Sequence, residues 1–220
     1  MSKGRLVSPR RGFFVIVPLE YSAAGAPPPS WFIDDLMRFA GHRYYVGLLS
    51  AASLHGAAHH RPQEFQVVSD VPHRPAEAGR ARLRFFTKRR IERAATESMK
   101  TDTGSMVVST AETTALDLVR YYEGAGYLDN VATVLTDLIE RLDPARLAVA
   151  ADAHVEVAVV QRLGYLLEQI GAEKHCTSLE AWLSAQKPYP VRLRPDRPQV
   201  DEPRNKRWQI LVNDEVEADS

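Results

Sequence analysis

The sequence predicts an α+β protein: a β-hairpin at the front, a mixed α/β middle holding a small sheet, and a second half made mostly of helices. Three observations predict it. Residues 4–18 hold two short apolar runs either side of a turn containing Pro9 and Gly12. Residues 82–85, Arg-Leu-Arg-Phe, alternate charged and apolar with the period of a strand. Beyond residue 109, capping signals introduce apolar residues spaced three and four apart, the period of a helix. With 220 residues, 45% hydrophobic and 25% charged, the chain is long enough to bury a core without cross-links. Its single cysteine, Cys176, excludes a disulfide framework or a cysteine-based zinc site within one chain and fits a cytoplasmic setting. The run Phe13 to Val17 is too short for a signal-peptide core, and no stretch approaches the roughly 20 apolar residues of a membrane span.

Taken in order, the hairpin has arms at Arg5–Val7 and Phe13–Val17 with Ser8 to Gly12 as its turn. Residues 22–30, SAAGAPPPS, read as a linker, because three consecutive prolines fit neither a helix interior nor a central strand. Ser30 is then placed to cap a helix carrying Phe32, Ile33, Leu36, Met37 and Ala40, which Gly41 closes. Tyr44–Val46 is a short aromatic entry. Gly47–Ala58 is a helix of small residues suited to close packing, and Phe65–Ser69 is a strand. Ser109-Thr110-Ala111-Glu112 forms a capping box ahead of a helix whose Leu116, Val119 and Tyr122 point inward. Asp129 caps the next helix, with Val131, Val134, Leu135, Leu138 and Ile139 on one face, and Asp143-Pro144 starts another. A helix over about 155–170 ends at Gly171. Ser178 caps a short one with Trp182 and Leu183, and 188–194 and 207–212 read as closing strands.

Net charge is zero but polarised. Residues 1–100 carry 16 Lys and Arg against 8 Asp and Glu; residues 101–220 carry 12 against 20. Either the front half faces a polyanion, or the halves neutralise each other across an interface. The hairpin tip displays Arg10 and Arg11, with Lys3 and Arg5 close by, as the wing of a winged helix–turn–helix displays cations to DNA phosphates. Residues 74–93 add eight cations against two acids. Among these, Arg82 and Arg84 share one strand face and Lys88, Arg89 and Arg90 sit at a bend, so the stretch is suited to tracking phosphates.

Patterns for catalysis are incomplete. A nucleotidyltransferase needs a Gly-Ser pair and two metal-holding carboxylates. Gly104-Ser105 is present, but Asp117 is followed by Leu118 and Val119 rather than a second acid. There is no Asp/Glu-x-Lys nuclease triplet, no nucleophile elbow and no phosphate-binding loop. His55 and His59 have zinc spacing, yet Gly56 stands where a zincin needs Glu, so both read as packing or surface histidines. The residues therefore suggest a non-enzymatic protein with no cofactor.

The ordered set PRRGFFVIVP, PPPSWFIDDLM, YYVGLLSAASLHGAAHHRPQEFQVV, VSTAETTALDLVRY, LDNVATVL, RLGYLLE and RWQILVN resembles the AbiEi family of type IV toxin–antitoxin antitoxins over roughly residues 4–217. The resemblance implies an N-terminal winged helix–turn–helix and a C-terminal antitoxin domain. It implies repression of the protein's own operon through promoter DNA, and neutralisation of a nucleotidyltransferase-like toxin encoded nearby, generally without a stable complex. On this pattern residues 1–21 correspond to the wing, 22–30 to the linker and 31–220 to the antitoxin domain, and the recognition helix that precedes the wing falls outside the sequence. A wing supplies phosphate contacts and not base readout, which weakens the expectation of sequence-specific promoter binding. Arg10 and Arg11 match family positions placed to touch phosphate. Two alternatives are a module that inhibits its toxin by direct contact and a metal-dependent nucleic-acid enzyme using Asp117.

Overall fold

A computed structural model describes residues 5–57, 62–154, 156–198 and 203–218. It is an α+β fold built on a six-stranded mixed sheet. The strands, in spatial order, are β5 (Ala76–Ala78), β6 (Ala81–Thr87), β4 (Phe65–Ser69), β3 (Tyr44–Val46), β8 (Gly104–Ser109) and β7 (Thr96–Thr101). β3 and β4 run antiparallel, with Tyr45 opposite Val68, while β6 lies parallel to β4 and β8 parallel to β3. Strand alternation sorts the residues into two cores. Tyr45 and Val68 face the helical layer; Val46, Val67, Leu83, Met106 and Val108 face the other way.

The second face is covered by α1 (Ile33–Ala40), through Ile33, Leu36 and Met37, and by the hairpin β1 (Leu6–Arg10) and β2 (Phe13–Ile16), through Val15. The hairpin turn is tighter than the sequence predicts. Ser8 and Pro9 belong to β1, and the reversal is made at Arg11-Gly12, where Gly12 takes φ +85°. A register shift between Val7 and Arg10 marks a bulge just before it. The expected linker, residues 22–30, instead joins this core: Ala26 is buried, and the Ala24 carbonyl accepts from the Arg80 N–H at 2.8 Å. Ser30 is not a helix cap. It lies in a single 3₁₀ turn, Pro29–Trp31, after which α1 starts, and Gly41 closes α1 as expected.

The helical layer starts with α2 (Leu48–Leu54), shorter than expected, and α3 (Ala111–Arg120), which packs on α2. The cap of α3 is Thr110, one residue later than the sequence predicts. Its hydroxyl accepts from the Thr113 N–H, and Glu112 reaches forward to accept from the Asp143 N–H at 3.1 Å. Around α3 lie α4 (Tyr127–Leu138), α5 (Pro144–His154) and α6 (Val157–Gln169). Asp129 does not cap α4; it pairs with Arg194 at 2.7 Å. Asp143 does cap α5, accepting from the Arg146 N–H at 2.8 Å. α7 (Glu173–Ala185) begins well before Ser178, because Gly171 and Ala172 already turn the chain out of α6.

The last residues form a small sheet from β9 (Val191–Arg192), β10 (Arg204–Asn205) and β11 (Ile210–Leu211), shorter strands than expected. Trp208, fully buried, fastens this sheet to α6. A Cβ added at Gly164 would fall 2.1 Å from the indole ring, so the helix must present glycine there. Next to it, the buried Gln161 amide donates to the carbonyls of Tyr189 at 2.9 Å and Trp208 at 3.1 Å. Gly164→Ala overpacks a site that cannot yield and is expected to cost about 1–3 kcal/mol or more; Trp208→Ala empties it, at about 3–5 kcal/mol. Urea unfolding monitored by circular dichroism checks both, and an unchanged midpoint for Gly164→Ala would contradict this packing.

Candidate functional site

The eight described members of the nine cations suggested by the sequence do not share one face. Lys3 lies outside the described residues. Arg5 stands at the hairpin base, where its carbonyl accepts from the Val17 N–H at 2.8 Å, and Arg10 and Arg11 are exposed at the tip. Arg82 and Arg84 are exposed on β6, but each has an acid beside it: Glu77 at 3.8 Å and Glu64 at 3.4 Å. Arg84 also lies over the Phe86 ring, 5.2 Å from its centroid. Arg89 and Arg90 are exposed at the bend that follows β6, with Arg90 at φ +56°. The strand therefore divides the set, with Arg82 and Arg84 in its first half and Arg89 and Arg90 beyond its far end.

Lys88 is a correction to the expected set. Its side chain is 6% exposed, and its ammonium lies 2.8 Å from Asp117 of α3, which is fully buried. Even-numbered residues of β6 face the helical layer. Arg82 and Arg84 emerge beyond the edge of that layer, whereas Lys88 runs beneath α3. The Tyr45 hydroxyl donates to the other Asp117 oxygen at 2.5 Å. Burial, reinforced by the Asp117 charge, holds the Tyr45 phenol well above its usual pKa, and the same two causes push the nearby Tyr121 phenol up to about 12. Both phenols are thus neutral donors at physiological pH. Asp117, Lys88 and Tyr45 form a buried polar triad joining the residue after β6 to α3 and β3.

The other chemical candidates are also apart. Gly104-Ser105 begins β8, at the tight turn from β7, whereas Asp117 is closed inside the helical layer. Among the described residues, no three His, Cys, Asp or Glu side chains are grouped to hold a metal ion. His55 points one ring nitrogen to the Ser109 carbonyl at 2.8 Å, as a packing histidine; His59 lies outside the described residues. Cys176 is buried, and burial pushes its thiol up to about 11.

Among the described residues, few ion pairs join the basic front half to the acidic second half. Among ion pairs between described residues, those of the first hundred residues stay within that stretch apart from Lys88–Asp117. Arg11 at the hairpin tip and Arg89 and Arg90 at the bend are exposed.

One grouping was not visible in the sequence. Beneath the hairpin, Arg10 and Arg74 meet His73 and Phe85 around a cavity of about 320 Å³. The signal was the run of prolines at 72 and 75 bracketing a histidine and an arginine, but only the fold brings residue 10 to it.

A family model described as the AbiEi antitoxin C-terminal domain matches residues 45–169, from β3 to the end of α6. A search of curated proteins finds no match. Among solved structures, the crystal structure of RV2827C protein from Mycobacterium tuberculosis matches 94% of this chain and 74% of its own, with a TM-score of 0.64 and 16% identity. At that identity the likeness speaks for the fold. No helix among the described residues is long and apolar enough to cross a membrane.

Removing either charge of the buried pair strands the other. Lys88→Met or Asp117→Leu alone is expected to destabilise by about 3–5 kcal/mol, and the Lys88→Met/Asp117→Leu double variant by clearly less than the sum. Chemical denaturation of the four proteins checks this; additive losses would mean the pair is not coupled.

Proposed function

The chain belongs to the AbiEi antitoxin family, and from that premise we propose that it is the antitoxin of a type IV toxin–antitoxin system. In this reading it works in the cytoplasm against a nucleotidyltransferase-like toxin encoded nearby, and it does so without a stable complex. The observation that carries the reading is the family match, which spans the sheet from β3 and the helical layer that the Lys88–Asp117 pair joins to it. The family is one of antitoxins rather than of enzymes. The basic hairpin tip and the bend after β6 then supply phosphate contacts to promoter DNA through Arg11, Arg89 and Arg90, which are exposed and outward. Such contacts position a protein on a duplex and strengthen binding to any sequence alike.

One observation favours a second reading, inhibition by direct contact with the toxin. The outer face of the hairpin is apolar and uncovered: Leu6, Phe14 and Ile16 are 62%, 64% and 73% exposed, with Leu6 directly opposite Ile16. Toxin that stays with the chain through purification in high salt supports contact; toxin that washes away supports the first reading.

Co-expression with the neighbouring toxin is expected to restore growth, and failure of the intact chain to do so removes the antitoxin reading. In DNA-binding assays Arg11→Ala is expected to weaken specific and non-specific DNA alike. It should also flatten the dependence of log K on log salt by about 0.9 for the lost phosphate contact. A slope unchanged by Arg11→Ala, Arg89→Ala and Arg90→Ala places DNA contact elsewhere.

A further inference from the structure

The cavity beneath the hairpin has no part in the antitoxin reading and stands independently of it. Two elements distant in sequence line the same hollow with an arginine each, Arg10 from the end of β1 and Arg74 from the 70–75 loop. Neither makes an ion pair with a described residue, whereas Arg43, Arg82 and Arg84 each have an acid at 3.4–3.9 Å. Two like charges held at one hollow repel unless an anion lies between them. The bulge between Val7 and Arg10 re-aims the end of β1, which is what bulges do beside binding sites, and the Ser8 hydroxyl fixes the kink by donating to the Arg10 carbonyl at 2.8 Å.

The remaining walls are unlike those of a simple anion site. His73 packs on Phe85 with ring centroids 5.0 Å apart, and its Nε2 lies 3.2 Å from the Ser69 hydroxyl, which fixes the ring. Burial first, then the charges of His42 and Arg10, hold His73 below its usual pKa, so it stands as a neutral ring. Asp70, the nearby acid, is turned to His42 at 3.8 Å. Leu36 and Met37, almost wholly buried, form an apolar floor. Prolines 72 and 75 stiffen the loop, so little ordering remains to be done on binding.

A cationic rim, an aromatic wall and an apolar floor suit a ligand that is anionic at one end and a flat ring at the other. We infer that this cavity binds a single nucleotide through its terminal phosphate, either free or at the end of a nucleic-acid strand. Arg10 and Arg74 hold the phosphate oxygens, and the base lies along Phe85 and His73 above Leu36 and Met37. The volume of about 320 Å³ is at the small end for ligand sites and admits one nucleotide and not a stacked pair.

Isothermal titration calorimetry of the purified whole chain at fixed ionic strength tests this. The probes are the four ribonucleoside monophosphates, adenosine, inorganic phosphate, and a short RNA with and without a 5′-phosphate. Saturable binding of a monophosphate or of the phosphorylated RNA, with adenosine and inorganic phosphate each much weaker, is the expected result. Binding of the monophosphate identifies a free nucleotide as the source, and binding of the phosphorylated strand alone identifies a strand end. Arg10→Gln and Arg74→Gln should each weaken binding by at least about tenfold, while Arg141→Gln, an equal loss of charge elsewhere, leaves it unchanged. Circular dichroism of these exposed-site variants confirms that they fold. The inference is overturned by the absence of saturable binding to any probe, by inorganic phosphate binding as tightly as the nucleotide, or by Arg141→Gln weakening binding as much as Arg10→Gln.

Discussion

The buried pair of Lys88 and Asp117 is the constraint around which the rest is arranged. The ammonium of the residue that follows β6 and the carboxylate of an α3 residue meet at 2.8 Å, almost wholly out of solvent, and Tyr45 from β3 donates to the other carboxylate oxygen. Each group alone would be costly to bury, and together they fix the sheet against the helical layer in one register. Apolar packing of Leu116, Leu118 and Val68 supplies most of the adhesion between those layers, but such contacts tolerate sliding. A charge pair with a phenol donor does not. The residue that follows β6 is therefore tied to α3, and Arg89 and Arg90 are exposed directly beyond it.

Much of this architecture is legible in the sequence where periodicity is strong. Phe65–Ser69 as a strand, the alternation at 82–85, and the helix starting at Asp143-Pro144 all follow from local chemistry. The strands of 76–78 and of 96–109 escape notice because they are edge or near-edge strands rich in polar residues, with Glu97 and Lys100 on the outermost one. Proline composition misleads at 22–30. The three prolines do exclude regular structure, yet an irregular segment can still be buried when, as here, Ala26 faces the core and Ala24 finds a backbone partner in Arg80.

The site is less legible than the fold, for a physical reason. A basic stretch reads as one feature in sequence, but a strand sends alternate residues to opposite faces and its two ends lie about 20 Å apart. Arg82 and Arg84 belong to one end, Arg89 and Arg90 to the other, and Lys88 to the interior. Whether a cation on a strand is solvated depends on which helix lies over it, and no local pattern around residue 88 announces Asp117. Conversely, Arg10 and Arg74 converge only because the hairpin packs against β5, a contact between segments about seventy residues apart.

The sheet order carries a consequence for how the protein is made. β3 pairs early with β4, close behind it in the chain, but its other neighbour is β8, through Val46 and Val108. On a ribosome the centre of the sheet thus waits, half-edged, until some sixty further residues have emerged, and the lysine just after β6 stays hydrated until α3 arrives with its carboxylate. Synthesis that stalls between residues 90 and 104 would leave an open strand edge and an unpaired charge together, a nascent chain well suited to capture by chaperones.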